Sequence, residues 1–136
     1  MTDPNLGKQS EFYSIKPRTI ICDIDGTILK HAHVFSDLNK FDPKANPGVI
    51  EKFNEWDSLG HKIILMTARK ESARKLTESQ LSELGIMWDV LIMGVTSGKR
   101  VLINDKLKEV DDDRAIAINV ITDSGFDNID WKVAEL

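Results

Sequence analysis

Apolar residues in this chain come in short runs set among longer polar stretches, and the runs carry two different periods. Thr19-Ile20-Ile21-Cys22 is a compact, β-branched run, the pattern of a buried strand. Lys62–Met66, Trp88–Met93, Val101–Ile103 and Ala115–Val120 read as four further strands. Between the first two, Val49, Ile50, Phe53 and Trp56 fall at helical spacing, with Asn46 as the expected N-cap and Pro47 at the first helical position. Between the second and third, Ala73, Leu76, Leu81 and Leu84 trace a helix over Glu71–Leu84. Gly60 and Gly85 supply the stops. Lys106–Val110 leaves room for a short helix before the run Asp111-Asp112-Asp113, read as a solvated turn.

Two stretches have no period. Met1–Lys16 is polar and carries Pro4 and Gly7, so it reads as a loose arm with Phe12, Tyr13 and Ile15 pinned to the core. Ile28–Asn46 scatters His31, His33, Phe35 and Phe41 among polar residues, the signature of a long loop or small hairpin. The expected organisation is an arm over 1–17 followed by one domain over 18–136. Apolar strands alternating with helices imply parallel βαβ units covered on both faces. The fold class is therefore α/β: a three-layer, Rossmann-like sandwich with a mainly parallel five-stranded sheet.

Composition narrows the class without changing the fold. With 136 residues, 41% of them hydrophobic, the chain suits one soluble domain. Cys22 is the single cysteine, which excludes a disulfide framework within the chain and leaves the thiol as an inert, small hydrophobe. No apolar run is long enough to span a membrane and no signal-peptide core follows Met1, so the expected location is cytoplasmic, with no membrane partner. The net charge of −4 argues against a surface built to grip nucleic acid.

The chemistry lies at the strand ends. In open parallel sheets, sites form at the carboxyl ends of the strands. Asp23, Asp25, Gly26 and Thr27 follow the first strand, and Thr67, Ala68 and Arg69 follow the second. Lys99 and Arg100 precede the fourth strand, and Asn104 and Asp105 follow it. Two carboxylates at i, i+2 followed by Gly suit phosphoryl transfer, one as nucleophile and one as proton donor and acceptor. Asp105 would complete an oxygen-rich site for Mg2+. Lys99 and the Thr67 hydroxyl could stabilise the equatorial oxygens.

These motifs resemble those of the haloacid dehalogenase (HAD) superfamily of phosphatases. Asp23-Ile-Asp-Gly-Thr27 is similar to its first motif and Ile64-Leu-Met-Thr-Ala-Arg69 to its second; Lys99 sits like the third-motif lysine, and Val101-Leu-Ile-Asn-Asp105 resembles the fourth. The resemblance covers roughly 18 to 120 in motif order. It implies an aspartyl-phosphate mechanism with Asp23 as nucleophile and Asp25 as general acid/base. Thr67 and Lys99 would hold the transferring group. Mg2+ would be held by Asp23, the main-chain carbonyl of Asp25, and Asp105. Asn104 stands where many members carry a second carboxylate, and would hold a metal-bound water.

Each residue also has a plainer reading. Asp-Gly is a common turn, Thr67 and Asn104-Asp105 can cap helices, and Lys99 and Arg100 can be solvated charges. Arg100 is the alternative to Lys99 at the phosphate. Arg69 can pair with a carboxylate or touch substrate, and with Gly26, Thr27, Ala68, Arg100, His31 and His33 it makes up the expected substrate-binding set. His31 and His33 are too few ligands for a metal site of their own and read as substrate-edge or solvent-exposed groups. The first gap, Ile28–Asn46, is shorter than about twenty residues, too short for a cap domain with its own core. The expected site is therefore uncapped and open, or closed by a second subunit of a homo-oligomer. Within the superfamily the closest resemblance is to small phosphatases of capsule or lipopolysaccharide sugar biosynthesis, which implies a small sugar phosphate as substrate and no nucleic acid. The alternatives are a polynucleotide 3′-phosphatase and a non-catalytic HAD-like binding protein.

Overall fold

The computed structural model describes residues 16–31, 42–109 and 112–136. The expected anchors Phe12, Tyr13 and Ile15, the loop residues His33, Phe35 and Phe41, and Val110 and Asp111 lie outside the described residues.

Among the described residues, three parallel strands form the sheet in the order β1 (Thr19–Asp23), β2 (Lys62–Met66), β3 (Val90–Ile92). Register aligns Cys22 with Leu65 and Leu91, and Ile21 with Ile64 and Val90. Helix α1 (Val49–Ser58) crosses from β1 to β2, and α2 (Arg74–Glu83), preceded by a 3-10 turn over Glu71–Ala73, crosses from β2 to β3. Both crossovers step in the same direction. Right-handed connections then place both helices on one face of the sheet. Burial follows that geometry: Cys22, Ile63, Leu65 and Leu91 are buried with Phe53, Trp56 and Leu81, while Ile21, Val90 and Ile92 on the other face are exposed. The described residues thus form two layers where three were expected.

The expected five-stranded sheet is likewise not formed by them. Val101, Leu102 and Ile103 are 82, 62 and 90% exposed and pair with no strand, nor does Ala115–Val120. The reason lies at the rim. A parallel neighbour of β1 must enter at its Thr19 end and leave at its Asp23 end. Here Gly94 and Val95 are bonded to the backbone of Arg69 and Thr67, and Arg100 is paired with Asp23, so the segment already starts at the exit end. Lys106–Glu109 shows only a turn at Lys108 and Glu109.

Helix boundaries are nearly as expected at the C-termini. Gly60 and His61 donate to the carbonyls of Asp57 and Trp56, and Gly85 and Ile86 to those of Ser82 and Leu81, the paired bonds of a Schellman stop. The start of α1 differs: Gly48, at φ 76°, is the residue before the helix, and Asn46 caps nothing with its side chain. A left-handed residue cannot continue a right-handed helix backwards, so Pro47 stays in the preceding turn. Asn46 is instead buried and gives its side-chain amide to the Thr27 carbonyl, 3.1 Å.

The tail closes the core under α1. Phe126 and Trp131 join Phe53 and Trp56 in an aromatic cluster with centroid spacings of 5.1–6.4 Å. Among the described residues, no helix is long and apolar enough to cross a membrane.

Candidate active site

β1 ends on Asp23, and the chain then turns sharply. The Ile24 carbonyl accepts from the amides of Thr27, Ile28 and Leu29, and the Gly26 amide donates to the Leu29 carbonyl at 2.8 Å. This winding puts the Thr27 hydroxyl 3.0 Å from Asp23 Oδ2. Arg100 Nη1 lies 2.7 Å from Asp23 Oδ1, so both carboxylate oxygens have a donor. Half-exposed Arg100, rather than exposed Lys99, is the cation that reaches Asp23.

Asp25 meets a different cation. Arg69 follows β2 with its side chain 1% exposed, and its Nε and Nη2 form a fork onto Asp25 Oδ2 and Oδ1 at 2.9 and 2.8 Å. Its remaining nitrogen, Nη1, donates to Thr77 Oγ1 (3.0 Å) and Gln80 Oε1 (2.7 Å), both on α2. A buried guanidinium is tolerable when its donors are satisfied in this way. Arg69 is thus committed to a carboxylate, the first of its two expected roles. Thr67 is 1% exposed, and its Oγ1 accepts from the Arg69 amide at 3.0 Å, which folds the loop after β2 back on itself. Ala68 is exposed on that loop.

The tail contributes residues for which the sequence carried no signal. Asp123, at φ 63°, donates its amide to the Gly26 carbonyl and accepts at Oδ1 from the His31 amide, 2.7 Å. Thr122 Cγ2 lies 3.1 Å from where a Cβ on Gly26 would stand. Asn46, Thr77 and Gln80 were also missed. The signal available for the last two was a pair of polar residues at i, i+3, next to Leu81, on the face of α2 that turns inward.

Asn104 and Asp105 are not brought to the paired carboxylates. Asp105 Oδ2 is held by Arg114 Nη1 at 2.9 Å, and Asn104 Nδ2 contacts Asp105 itself. Among the described residues no three metal-ligating side chains converge. An all-oxygen donor set suits Mg2+ by its chemistry, but here Asp23, Asp25 and Asp105 are each spent on a different arginine, so the arrangement does not fit the ion. Next to the site, burial pushes the Cys22 thiol up to about 12; the Asp23 charge adds to this and Arg100 opposes it. The thiol is inert, as expected.

The family model for the polynucleotide kinase PNKP phosphatase domain matches residues 17–116. The chain belongs to this family. It is a phosphatase of the HAD superfamily, as the four motifs implied. Comparison with curated protein sequences gives no match. Among solved structures, the PNKP-type phosphatase resembles chains of the Pnkp1/Rnl/Hen1 complex and of the Pnkp1/Rnl/Hen1 RNA repair complex. Each is 29% identical with a TM-score of 0.52, over 62% of this chain and 30% and 28% of theirs. The chain therefore spans less than a third of the length of those relatives. The expectation of no nucleic-acid partner is overturned by this likeness to RNA-repair proteins, which also gives the sugar-biosynthesis resemblance no support. Net charge misled because it averages over the surface, whereas a nucleic-acid end meets only the charges around the site.

Proposed function

We propose that this PNKP-type phosphatase removes a terminal 3′-phosphate from a nucleic-acid strand through an aspartyl-phosphate intermediate. The observation that carries the reading is the division of labour between the two carboxylates. Asp23 sits at the strand end beside a hydroxyl and a half-exposed arginine, where an incoming phosphate can meet it. Asp25 is held in one plane by a buried fork.

In this mechanism an Asp23 oxygen attacks phosphorus, the P–O bond to the 3′-oxygen breaks, and Asp25 delivers a proton to that oxygen. A water then attacks the aspartyl-phosphate and gives its proton to Asp25, which releases inorganic phosphate and regenerates Asp23. Arg100, paired with Asp23, would bridge to the phosphate oxygens, a role in which guanidinium geometry favours it over Lys99. Because Arg69 occupies both Asp25 oxygens, proton delivery requires one of those bonds to open as substrate binds. The short gap between Ile28 and Asn46 supports an uncapped rim, which a polynucleotide end needs. Asp23, Asp25 and Asp105 as arranged do not fit Mg2+, and no step above is routed through it.

The test is hydrolysis of a 3′-phosphorylated oligonucleotide and of an aryl phosphate by the wild type and by Asp23→Asn. The wild type is expected to release phosphate from both, and the variant to lose that activity with its fold intact by circular dichroism. Activity that survives the substitution would remove the covalent mechanism. The same assay in EDTA, with Mg2+ added back, examines the cation: turnover lost in EDTA and restored by Mg2+ would mean that the arginine pairs of these carboxylates exchange for the ion.

A further inference from the structure

Immediately beyond the catalytic turn, the chain forms a small antiparallel bridge between Leu29 and Ala45. The Lys30 amide donates to the Lys44 carbonyl at 3.0 Å, so the next facing pair along this ladder is two lysines. Both are exposed. Like charges directly opposite one another cost stability. Among the described residues nothing offsets the cost: neither lysine forms an ion pair, Asp42 two positions before Lys44 pairs with neither, and the carboxylate of Asp123, in a turn of the tail, accepts from the His31 amide. The pair is also fixed relative to the site. The Leu29 carbonyl takes the Gly26 amide, which leaves Lys30 one residue from the turn that carries Asp25. Its backbone neighbour His31 is tied to Asp123, whose own amide is bonded to Gly26.

An uncompensated pair of cations held against a catalytic turn fits an anion other than the one being hydrolysed. Arg100 already serves Asp23, where the terminal phosphate would sit. We infer that Lys30 and Lys44 form a phosphodiester-binding subsite that holds the nucleic-acid strand behind its 3′-phosphate. The inference rests on the 3′-phosphatase reading above and names the surface by which that substrate is gripped. It also accounts for how a chain of net charge −4 can hold a polyanion: two facing lysines next to the reacting end outweigh a mean charge spread over the remaining surface.

The experiment measures steady-state kinetics of the full chain on three substrates: an aryl phosphate, a nucleoside 3′-phosphate with no upstream phosphodiester, and a 3′-phosphorylated oligonucleotide. The wild type is expected to show a lower KM for the oligonucleotide than for the nucleoside 3′-phosphate. The double variant Lys30→Gln/Lys44→Gln is expected to raise the oligonucleotide KM by at least about fivefold, and to make the slope of log KM against log salt shallower by about 1.4, two single-strand phosphate contacts' worth. Its kcat and KM on the other two substrates stay unchanged, and Lys30→Arg/Lys44→Arg keeps the wild-type values on all three. An unchanged oligonucleotide KM and salt slope, or an equal loss on every substrate, would overturn the subsite alone. A wild type that hydrolyses the aryl phosphate but neither 3′-phosphorylated substrate would overturn the 3′-phosphatase reading, and the subsite with it.

Discussion

Asp23 and Asp25 stand two positions apart yet answer to different arginines, and the contrast between those arginines organises the site. Arg100 is half exposed and reaches Asp23 with one nitrogen; Arg69 is buried and grips Asp25 with two. A fork fixes the plane of a carboxylate, whereas a point charge only attracts it. Arg69→Lys is therefore expected to lower kcat on an aryl phosphate by roughly tenfold to a hundredfold, the scale of a small misplacement of a reacting group, with KM changed far less. It should also lower stability by about 3 kcal/mol, because the bonds to Thr77 and Gln80 are lost inside the fold. Gln80→Leu removes one bond to Arg69 and should produce a smaller fall in kcat in the same assay. A uniform loss of kcat and KM on Arg69→Lys would mean that the arginine holds the fold and not the orientation of Asp25. The motif made Asp23, Asp25 and Arg69 visible from the sequence, but which arginine meets which carboxylate was not, because Arg69 and Arg100 arrive from segments far apart in the chain.

At the scale of elements, the described residues form two crossovers that step in the same direction, with a tail folded back over the first helix start. The tail is attached at one tight point. Gly125 has φ 79°, and a Cβ there would stand 2.4 Å from the Pro47 carbonyl oxygen, while the Phe126 amide donates to that same carbonyl at 2.8 Å. Gly125→Ala combines a left-handed backbone with a backbone clash, and is expected to cost about 1–3 kcal/mol in urea unfolding. Because Asp123 lies two residues earlier and is bonded to Gly26 and His31, the same variant should reduce kcat; full activity at reduced stability would separate the tail from the turn that carries Asp25. Phe126 and Trp131 are aromatic residues suited to packing by their character, in a tail with no period to say against what. Their partners Phe53 and Trp56 were legible as a helical stripe, yet nothing in a linear pattern joined the two sets. The misread start of α1 has a local cause: Asn46-Pro47-Gly48 satisfies the rule for a cap, but Gly48 adopts the left-handed region and Asn46 is drawn to Thr27 instead.

At the scale of the whole molecule, His61 is a titratable joint outside the site. His61 follows α1 and accepts from the Arg18 amide at Nδ1, 2.8 Å, tying the start of β1 to the start of β2. Burial first, then the Arg18 charge, lowers its pKa below the ordinary 6.5, against a smaller opposing pull from Glu55. An unfolded chain binds this proton more readily than the folded one, so stability rises with pH through this window. The contribution is complete above 6.5 and is lost as pH falls toward the lowered folded value. The urea midpoint of the wild type should accordingly drop on acidification below that point, and His61→Gln should flatten the dependence; an equally steep profile in the variant would assign it to other groups.

What the sequence determined by itself was periodic or contiguous. Run length and β-branching set β1 and β2, helical spacing set the two crossovers, glycines set their ends, and Asp23-Ile-Asp-Gly-Thr27 with its companions set the phosphatase chemistry. What only the tertiary structure decided depends on meetings between distant segments. Val101–Ile103 reads as a strand by composition, but a strand is defined by its neighbour, and the Arg100–Asp23 pair starts that segment at the wrong end of β1. The destination of Arg69, the role of Asp123 and the facing of Lys30 against Lys44 belong to the same class. Side-chain character is written residue by residue, while charge pairing and register are fixed only when the chain closes on itself.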